Sequence, residues 1–384
     1  MNPIYLDNNS TTAISPQVLD KMLPYMNENY GNPASSEHVY GWQANQAVDV
    51  ARKQISGLVN CSPNEIYFTS GATESNNISI LGLIESIQSK KHTVTVKTEH
   101  KSVLDIFKNL SKKNISTIYL DVNNKGIVDL NEISESLTSD ISLLSIMMAN
   151  NEIGVIQPIK EIGDICREKG ITLHVDAAQA MGKIDIDLKK LSVDLMSFSA
   201  HKLYAPKGVG AIYINSETTK NKLKPIVFGG GHESGFRPGT LAVHNIVGFG
   251  EACEIAKKEI DDNYRNINSL RDVMLNNLSD GFDDLIINGS MQNRIPGNLN
   301  ISFPGLNKEP FIQKFRKIAI SSGSACTTSN PSPSHVLQAI GLKKSLIECT
   351  MRIGIGKFNT LEEIEFAADY ILEIVNKLKT SKRG

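Results

Sequence analysis

The sequence predicts an α/β protein, with a mostly parallel sheet in a large domain and a smaller α+β domain. Short apolar runs alternate with helical patterns through the first two-thirds of the chain, as in a sheet covered by helices on both faces. The run "SLLSIMMA" at 142–149 is almost continuously apolar, which is typical of a buried parallel strand. The length of 384 residues exceeds what a single core usually fills, which favours a second domain.

The predicted elements follow one another in chain order. Short β-rich runs predict strands at 65–70, 93–99, 116–120, 142–149, 171–176, 193–199 and 208–214. Helical spacing of apolar residues predicts helices at 73–86, 102–113, 159–170 and 242–275. The long last helix is the predicted bridge between a large domain at 15–258 and a small domain formed by 1–14 and 259–384.

Composition narrows the classes of function. The chain is 40% hydrophobic and 21% charged, which is ordinary for a globular protein. Its net charge of -1 gives no basic excess, so we expect no direct nucleic-acid binding. We also expect no membrane span, because no apolar run approaches the roughly 20 residues that one needs. We expect no secretory signal, since "MNPIYLDNNSTT" has neither a basic nor an apolar leader region. A cytoplasmic location is therefore expected.

The five cysteines do not suggest a disulfide framework or a metal site. They are Cys61, Cys166, Cys253, Cys326 and Cys349, and they are widely spaced with no CxxC pair. Four of them are predicted to be packing residues. Cys326 differs, because "SSGSACTTSNPSPSH" has the composition of an exposed loop. A cysteine placed there is accessible for reaction.

Two of the predicted strands are followed by residues that could bind a charged group: one strand end could bind an anion and the other a cation. Gly71, Ala72 and Thr73 stand between a strand and a helix, where backbone N–H groups bind phosphate, although such turns are also common without a ligand. Asp176 ends an apolar strand, where a carboxylate needs a partner such as a protonated ring nitrogen, or serves as a helix cap.

Two further strand ends carry groups that exchange protons or form covalent bonds. Lys202 follows an apolar strand, and burial there lowers the pKa of an amine so that it becomes nucleophilic; a snorkelling lysine is the alternative. His100 follows another strand, where it stacks on a flat ring, moves protons or is purely structural. Ligands gather at the carboxyl ends of strands in such sheets, and these four groups together suit pyridoxal 5'-phosphate (PLP).

The chain resembles the cysteine desulfurases of the NifS/IscS type nearly from end to end. These belong to the class-V aminotransferases, which are fold-type I, aspartate aminotransferase-like PLP enzymes. The resemblance is carried by an ordered series of segments: "YLDNNSTT", "YGNPASSEH", "FTSGATESNN", "KTEHKSVLD", "NNEIGVIQP", "HVDAAQ", "DLMSFSAHKLYAPKGVGAIY", "GGGHESGFRPGTLAVHNIVG" and "SSGSAC".

The resemblance implies roles around the cofactor ring. Lys202 would bind the cofactor aldehyde covalently, and Asp176 would pair with the ring nitrogen. Gln179 and Asn151 would lie near the ring hydroxyl. His100 would stack on the ring and act in acid–base steps.

It also implies which residues hold the cofactor phosphate. Ala72, Thr73, Ser199 and His201 would bind it within one subunit. Thr240, in "RPGT", would reach the phosphate of the other subunit, which implies a homodimer with shared active sites.

Substrate and sulfur transfer follow from the same resemblance. Arg352 would bind the carboxylate of L-cysteine, with Asn32 and Asn151 nearby, and the fork of arginine suits that task. "SSGSAC" resembles the subclass with a long mobile loop, which makes Cys326 the nucleophile. The products would be L-alanine and a Cys326 persulfide, whose sulfur passes to an acceptor protein.

The sequence departs from the family at Ser234, where arginine is frequent, and at Ala200 and Ala205, where glycine is common. A longer C-terminal tail helps housekeeping members to dock the iron–sulfur scaffold, and this chain ends soon after "YILEIVNKLKTSKRG". We therefore expect general iron–sulfur cluster assembly to be less favoured than a dedicated supply for DNA phosphorothioation, nitrogen fixation or tRNA thiolation, and the sequence does not choose among these pathways. The alternative functions are a selenocysteine lyase and a non-catalytic partner protein on the same fold. A plain aminotransferase has no use for "SSGSAC", and the absence of GxGxxG argues against a dinucleotide-binding protein.

Overall fold

The computed structural model describes residues 3–87, 92–306, 311–322 and 333–380. The strands are β1 (Ile4–Tyr5), β2 (Ile66–Thr69), β3 (His92–Val96), β4 (Ser116–Leu120), β5 (Ile141–Met147), β6 (Thr172–Asp176), β7 (Leu195–Ser199), β8 (Gly210–Ile214), β9 (Ile286–Ile287), β10 (Asn298–Ser302), β11 (Ile318–Ala319) and β12 (Thr350–Gly354). The helices are α1 (Pro16–Met22), α2 (Pro24–Asn27), α3 (Val39–Leu58), α4 (Ala72–Ile84), α5 (Lys101–Leu110), α6 (Leu130–Ser136), α7 (Ile159–Lys169), α8 (Val243–Gly281), α9 (His335–Ala339), α10 (Lys344–Ile347) and α11 (Leu361–Thr380).

The central sheet has seven strands in the order β2-β8-β7-β6-β5-β3-β4. Neighbouring strands from β7 to β4 pair in parallel, whereas β8 runs antiparallel to both β7 and β2. The predicted mostly parallel sheet is therefore confirmed. Every strand of this sheet except β8 has its carboxyl end at the same edge.

Helices cover both faces of the sheet, because alternate strand residues point to opposite sides. On one face Phe68 and Phe198 join a core that includes buried residues of α3, α7 and α8. On the other face Tyr67 and Leu195 join a core with buried residues of α4 and α5. Helix α7 ends at Gly170, whose φ of 65° is the left-handed conformation that glycine adopts most easily at a helix end.

Helix α8 runs through two hydrophobic cores. Its buried residues up to Ala256 pack in the core of the large sheet, whereas those from Ile267 onward pack with β10, β12 and α11. Leu6 from the N-terminal segment also joins this second core. The division at residues 258 and 259 stays a prediction, and these contacts agree with it.

No helix within the described ranges combines the length and apolar character needed to cross a membrane. Three of the cysteines predicted to be packing residues, Cys166, Cys253 and Cys349, are buried, and Cys61 is partly buried. Burial raises the pKa of the Cys61 thiol to about 12, which keeps it protonated and unreactive at neutral pH.

Candidate active site

The four strand ends singled out in the sequence meet at one cavity of about 470 Å³. It lies beyond the carboxyl ends of β2, β3, β6 and β7, which the parallel pairing places at a common edge. Ten residues predicted for the site line this cavity: Ala72, Thr73, His100, Asn151, Asp176, Gln179, Ser199, His201, Lys202 and Arg352.

Lys202 enters the cavity from a short 3-10 turn, Ala200–Lys202, directly after β7. Its Nζ donates a hydrogen bond of 2.7 Å to the carbonyl oxygen of Asn9 and another to the carbonyl of Ser10. These two carbonyl oxygens hold the amine at the cavity wall. The N-terminal segment thus forms one wall of the cavity.

Asp176 ends β6 with its side chain almost fully buried. Its Oδ1 accepts a hydrogen bond of 3.0 Å from the backbone N–H of Ala178, and its Oδ2 accepts one of 2.8 Å from Nδ2 of Asn76. Both carboxylate oxygens therefore have fixed positions. A buried carboxylate oriented in this way can hold a protonated ring nitrogen.

The turn between β2 and α4 offers backbone N–H groups to an anion. Gly71 precedes the helix with a φ of +150°, which side chains rarely allow, and no side chain caps the helix there. A Cβ on Gly210 would lie 2.6 Å from the Cα of Gly71, so β8 also requires glycine at this close approach. The first N–H groups of α4 are therefore left for a ligand.

The opposite side of this anion site is positively charged. Ser199 and His201 line the cavity, and Nδ1 of His201 lies 3.0 Å from Oγ1 of Thr11. Burial and the neighbouring amines of Lys202 and Lys207 lower the pKa of His201 to about 4. The same positive potential that disfavours a proton on His201 favours a bound phosphate.

Gln179 lies in a hydrogen-bonded row behind the cavity. Its Nε2 donates to the carbonyl of Asn9 at 2.7 Å, and its Oε1 accepts from Nζ of Lys183 at 2.9 Å. Desolvation, followed by the charges of Lys202 and Arg352, lowers the pKa of Lys183 to about 7. The row fixes which end of the Gln179 amide donates.

Arg352 lies on β12 and is held by two groups. One terminal nitrogen forms an ion pair of 2.7 Å with Asp7, and the other donates to the carbonyl of Asn151 at 3.0 Å. Its Nε is buried without a hydrogen-bond partner among the described residues. Arg352 lines the cavity, and Asp7 and Asn151 engage two of the five N–H groups of its guanidinium, so further donors are available for an anionic substrate group.

Two predicted residues lie outside this cavity. Asn32 and Thr240 line a separate cavity of about 350 Å³ together with Tyr25, Tyr30 and His244. Asn32 accepts a hydrogen bond from the N–H of Ala34 at 3.0 Å. Neither side chain reaches the main site within one chain, so any role there depends on a second subunit.

Cys326 lies outside the described residues, but the residues on either side of its stretch are anchored beside the cavity. Ser321 forms an antiparallel bridge with Arg352, with N···O distances of 3.3 and 2.7 Å. Ser334 donates to Oε2 of Glu152 at 2.5 Å, and Nε2 of His335 donates to the carbonyl of Glu99 at 2.9 Å. The chain therefore leaves from the Arg352 strand and returns next to His100.

Sequence reasoning missed the residues that support the predicted ones. These are Asp7, Asn9, Ser10, Thr11, Asn76 and Ser102. Most lie within segments used for the resemblance, "YLDNNSTT" and "FTSGATESNN", but no local pattern assigns them to this cavity. Among the described residues, no group of three or more histidine, cysteine or acidic side chains is placed to hold a metal ion.

Comparison with known proteins identifies the family and the fold. The model of the family "Aminotransferase class-V" matches residues 4–366. The protein named cysteine desulfurase IscS from Dechloromonas aromatica (strain RCB) is 48% identical over 379 residues, covering 98% of this chain and 93% of the relative. A solved structure titled as a NifS-like protein superposes with a TM-score of 0.90 at 36% identity, covering 98% of this chain and all of that one. Another, titled "SspA in complex with cysteine", superposes with a TM-score of 0.79 at 32% identity, covering 93% of this chain and all of that one.

Proposed function

The chain belongs to the class-V aminotransferase family and is a PLP-dependent cysteine desulfurase. From the chemistry of that reaction, we propose a role for each residue of the site. The enzyme takes sulfur from L-cysteine, and we assign the receiving thiol to Cys326. The observation that carries the assignment of roles is the meeting of Lys202, Asp176 and the N-terminus of α4 at one cavity.

The residues present fit the cofactor. The open N-terminus of α4 and the positive surroundings of His201 suit its phosphate, and the oriented carboxylate of Asp176 suits its ring nitrogen. When bound, PLP supplies an electron sink that makes the Cα proton of the substrate removable. Lys202 would be the amine of this chain that holds the cofactor aldehyde.

Lys202 is also the proposed proton carrier. Its Nζ lies at the cavity wall, where it donates to the carbonyl oxygens of Asn9 and Ser10. With the cofactor bound, the Lys202 amine would be placed to take the proton from the substrate Cα and to return it. Gln179 and Asn151 orient the remaining polar groups of the ring and the substrate.

Sulfur transfer is proposed to occur by attack of the Cys326 thiolate on the sulfur of the substrate. A sulfur–sulfur bond forms as the carbon–sulfur bond breaks, and the released electron pair stays with the carbon skeleton. Protonation of that carbon completes L-alanine, and Cys326 carries the persulfide. The anchored positions of Ser321 and Ser334 place both ends of the Cys326 stretch beside Arg352 and Glu152, which supports this role.

Arg352 is proposed to bind the carboxylate of L-cysteine, because it lines the cavity and Asp7 and Asn151 engage only two of its five N–H groups. Purified enzyme should form L-alanine and sulfide from L-cysteine in the presence of a reductant. Cysteamine has the same thiol and amine as L-cysteine but no carboxylate, so the wild-type enzyme should have a higher kcat/KM for L-cysteine than for cysteamine. In Arg352→Lys the ratio of these two kcat/KM values should be about tenfold smaller. The measurement is kcat/KM for sulfide release from both compounds.

The same assay separates the alternatives. Release of selenide from selenocysteine without turnover of L-cysteine would make the protein a selenocysteine lyase. Turnover of neither compound would favour a non-catalytic partner. An unchanged preference in Arg352→Lys would remove the assigned role of this arginine while leaving the reaction intact.

We further propose that the enzyme is a homodimer in which Thr240 reaches the phosphate of the other subunit. The cavity that contains Thr240 is surrounded by exposed apolar side chains, including Tyr30 at 68% exposure and Met26 at 56%. Exposed apolar surface of this kind is characteristic of an interface. A twofold axis would bring the same patch of both copies together.

Tyr30→Glu is expected to convert the dimer into monomer at micromolar concentration, because a carboxylate is costly to bury in such an interface. Sedimentation velocity measures the change, and Ile118→Glu, on the edge strand β4, is the matched control. If wild type sediments as a monomer and retains full turnover, the shared site is wrong.

The receiving protein is proposed to be a sulfur acceptor that contacts the Cys326 segment, and its pathway stays unassigned among the four named above. We place the reaction in the cytoplasm, where thiols are kept reduced. Recovery of the native protein in an extracytoplasmic fraction would contradict that placement.

A further inference from the structure

A row of hydrogen bonds connects the two groups proposed to face the cofactor ring. Asn76 donates through Nδ2 to Oδ2 of Asp176 at 2.8 Å and to Oγ of Ser102 at 3.0 Å. Oγ of Ser102 in turn lies 2.9 Å from Nδ1 of His100. Asn76 is fully buried in α4, whereas Ser102 and His100 are partly buried at the cavity wall.

The direction of each hydrogen bond follows from the charge at one end. An ionised Asp176 only accepts, so the amide of Asn76 must present its NH2 group to the carboxylate. The same NH2 group also contacts Ser102, so the Ser102 hydroxyl oxygen accepts a hydrogen bond from Asn76. The hydroxyl proton is then left to donate to Nδ1 of His100.

A second contact, independent of the first, gives the same direction. His100 caps the N-terminus of α5, and its Nδ1 accepts a hydrogen bond of 3.1 Å from the backbone N–H of Ser102. A backbone N–H cannot accept, so Nδ1 must carry a lone pair. Two donors thus converge on Nδ1, and the proton of the neutral ring is on Nε2.

We propose that Asn76 and Ser102 are positioning residues that hold His100 as the Nε2–H tautomer and tie its ring to Asp176. The proposal deepens the function proposed above and rests on it. His100 can then donate a hydrogen bond from Nε2 to an anionic sulfur in the cavity. It cannot take up a proton at that nitrogen, so its contribution is donation and not general-base catalysis.

The charges around His100 agree with a neutral ring. Burial lowers the pKa of its imidazole, and Asp176 on β6 raises it. Lys202 after β7, His335 on α9 and Lys101 on α5 lower it further. An imidazole with a lowered pKa is neutral through its ordinary titration range as well as above it, so the neutral donor form is present at neutral and alkaline pH.

The test is nitrogen NMR of the holoenzyme with 15N-labelled histidine, in which the ring of His100 is identified by its loss in His100→Ala. Wild type should show an unprotonated Nδ1 and a protonated Nε2. Ser102→Ala should show a measurable population protonated at Nδ1 and form alanine about tenfold more slowly, because one donor to Nδ1 is gone. Asn76→Ala should shift the tautomers in the same direction.

Asn77→Ala is the matched control, since Asn77 donates within α4 to the carbonyl of Thr73 and does not touch the row. It should leave both readouts unchanged. A wild-type ring protonated at Nδ1, or a Ser102→Ala enzyme identical to wild type in tautomer and rate, would overturn the proposal; the wild-type spectrum decides even if that variant fails to fold. Failure of wild type to form alanine would refute the proposed function separately, without altering the tautomer result.

Discussion

Cys326→Ser is expected to lower sulfide release from L-cysteine by about a thousandfold or more, while the cofactor absorbance stays unchanged. A serine hydroxyl is a poor nucleophile toward sulfur and cannot form a persulfide, and removing the nucleophile of an enzyme costs rates of this order. None of the cofactor-facing groups assigned above is altered by the change. Sulfide release under reducing conditions and the cofactor spectrum are the two measurements.

Cys61→Ser provides the matched control. Cys61 is the most accessible of the described cysteines, yet burial keeps its pKa at about 12, so it is not a thiolate at neutral pH. Its replacement should leave sulfide release unchanged. Full persulfide formation in Cys326→Ser would show that another thiol receives the sulfur.

Lys202→Ala is expected to lower alanine formation by a factor of about 100 to 10,000, the range typical for loss of a general acid–base group. The variant should still bind PLP through the phosphate site and Asp176, but without a covalent bond, so gel filtration should strip more cofactor from it than from wild type. Single-turnover formation of alanine and the bound cofactor fraction are measured together.

Lys190→Ala serves as the control for a lost lysine, because Lys190 is exposed and pairs with Asp187 at 2.8 Å on the surface. Its turnover and cofactor content should match wild type. A Lys202→Ala enzyme that turns over at the wild-type rate would assign the proton transfer to a different group.

The sequence predicted the part of the site that local patterns encode. Asp176, Lys202 and His100 each follow an apolar run, and parallel pairing brings the ends of β6, β7 and β3 to one edge. The turn at Gly71, proposed to bind the cofactor phosphate, could also be predicted, because it directly follows an apolar strand and precedes a helix. The positions of these residues at strand ends therefore indicated a common site, and the family resemblance supplied their roles.

The contacts between distant segments were not predictable in this way. Asn9 holds both Lys202 and Gln179 through its backbone carbonyl oxygen. Because every residue has such an oxygen, the residue type does not indicate this contact. Asp7 pairs with Arg352 across 345 positions of the chain, a contact that only the folded second core creates. The antiparallel direction of β8 also has no local signal, because the strand looks like its parallel neighbours.

The most direct test of the central claim is mass spectrometry of the enzyme after one turnover with L-cysteine in the absence of reductant. The proposed mechanism predicts one additional sulfur atom on the peptide that contains Cys326, in an amount equal to the alanine formed. An equal amount of alanine with the extra sulfur on another cysteine, or with no enzyme-bound sulfur, would contradict the account.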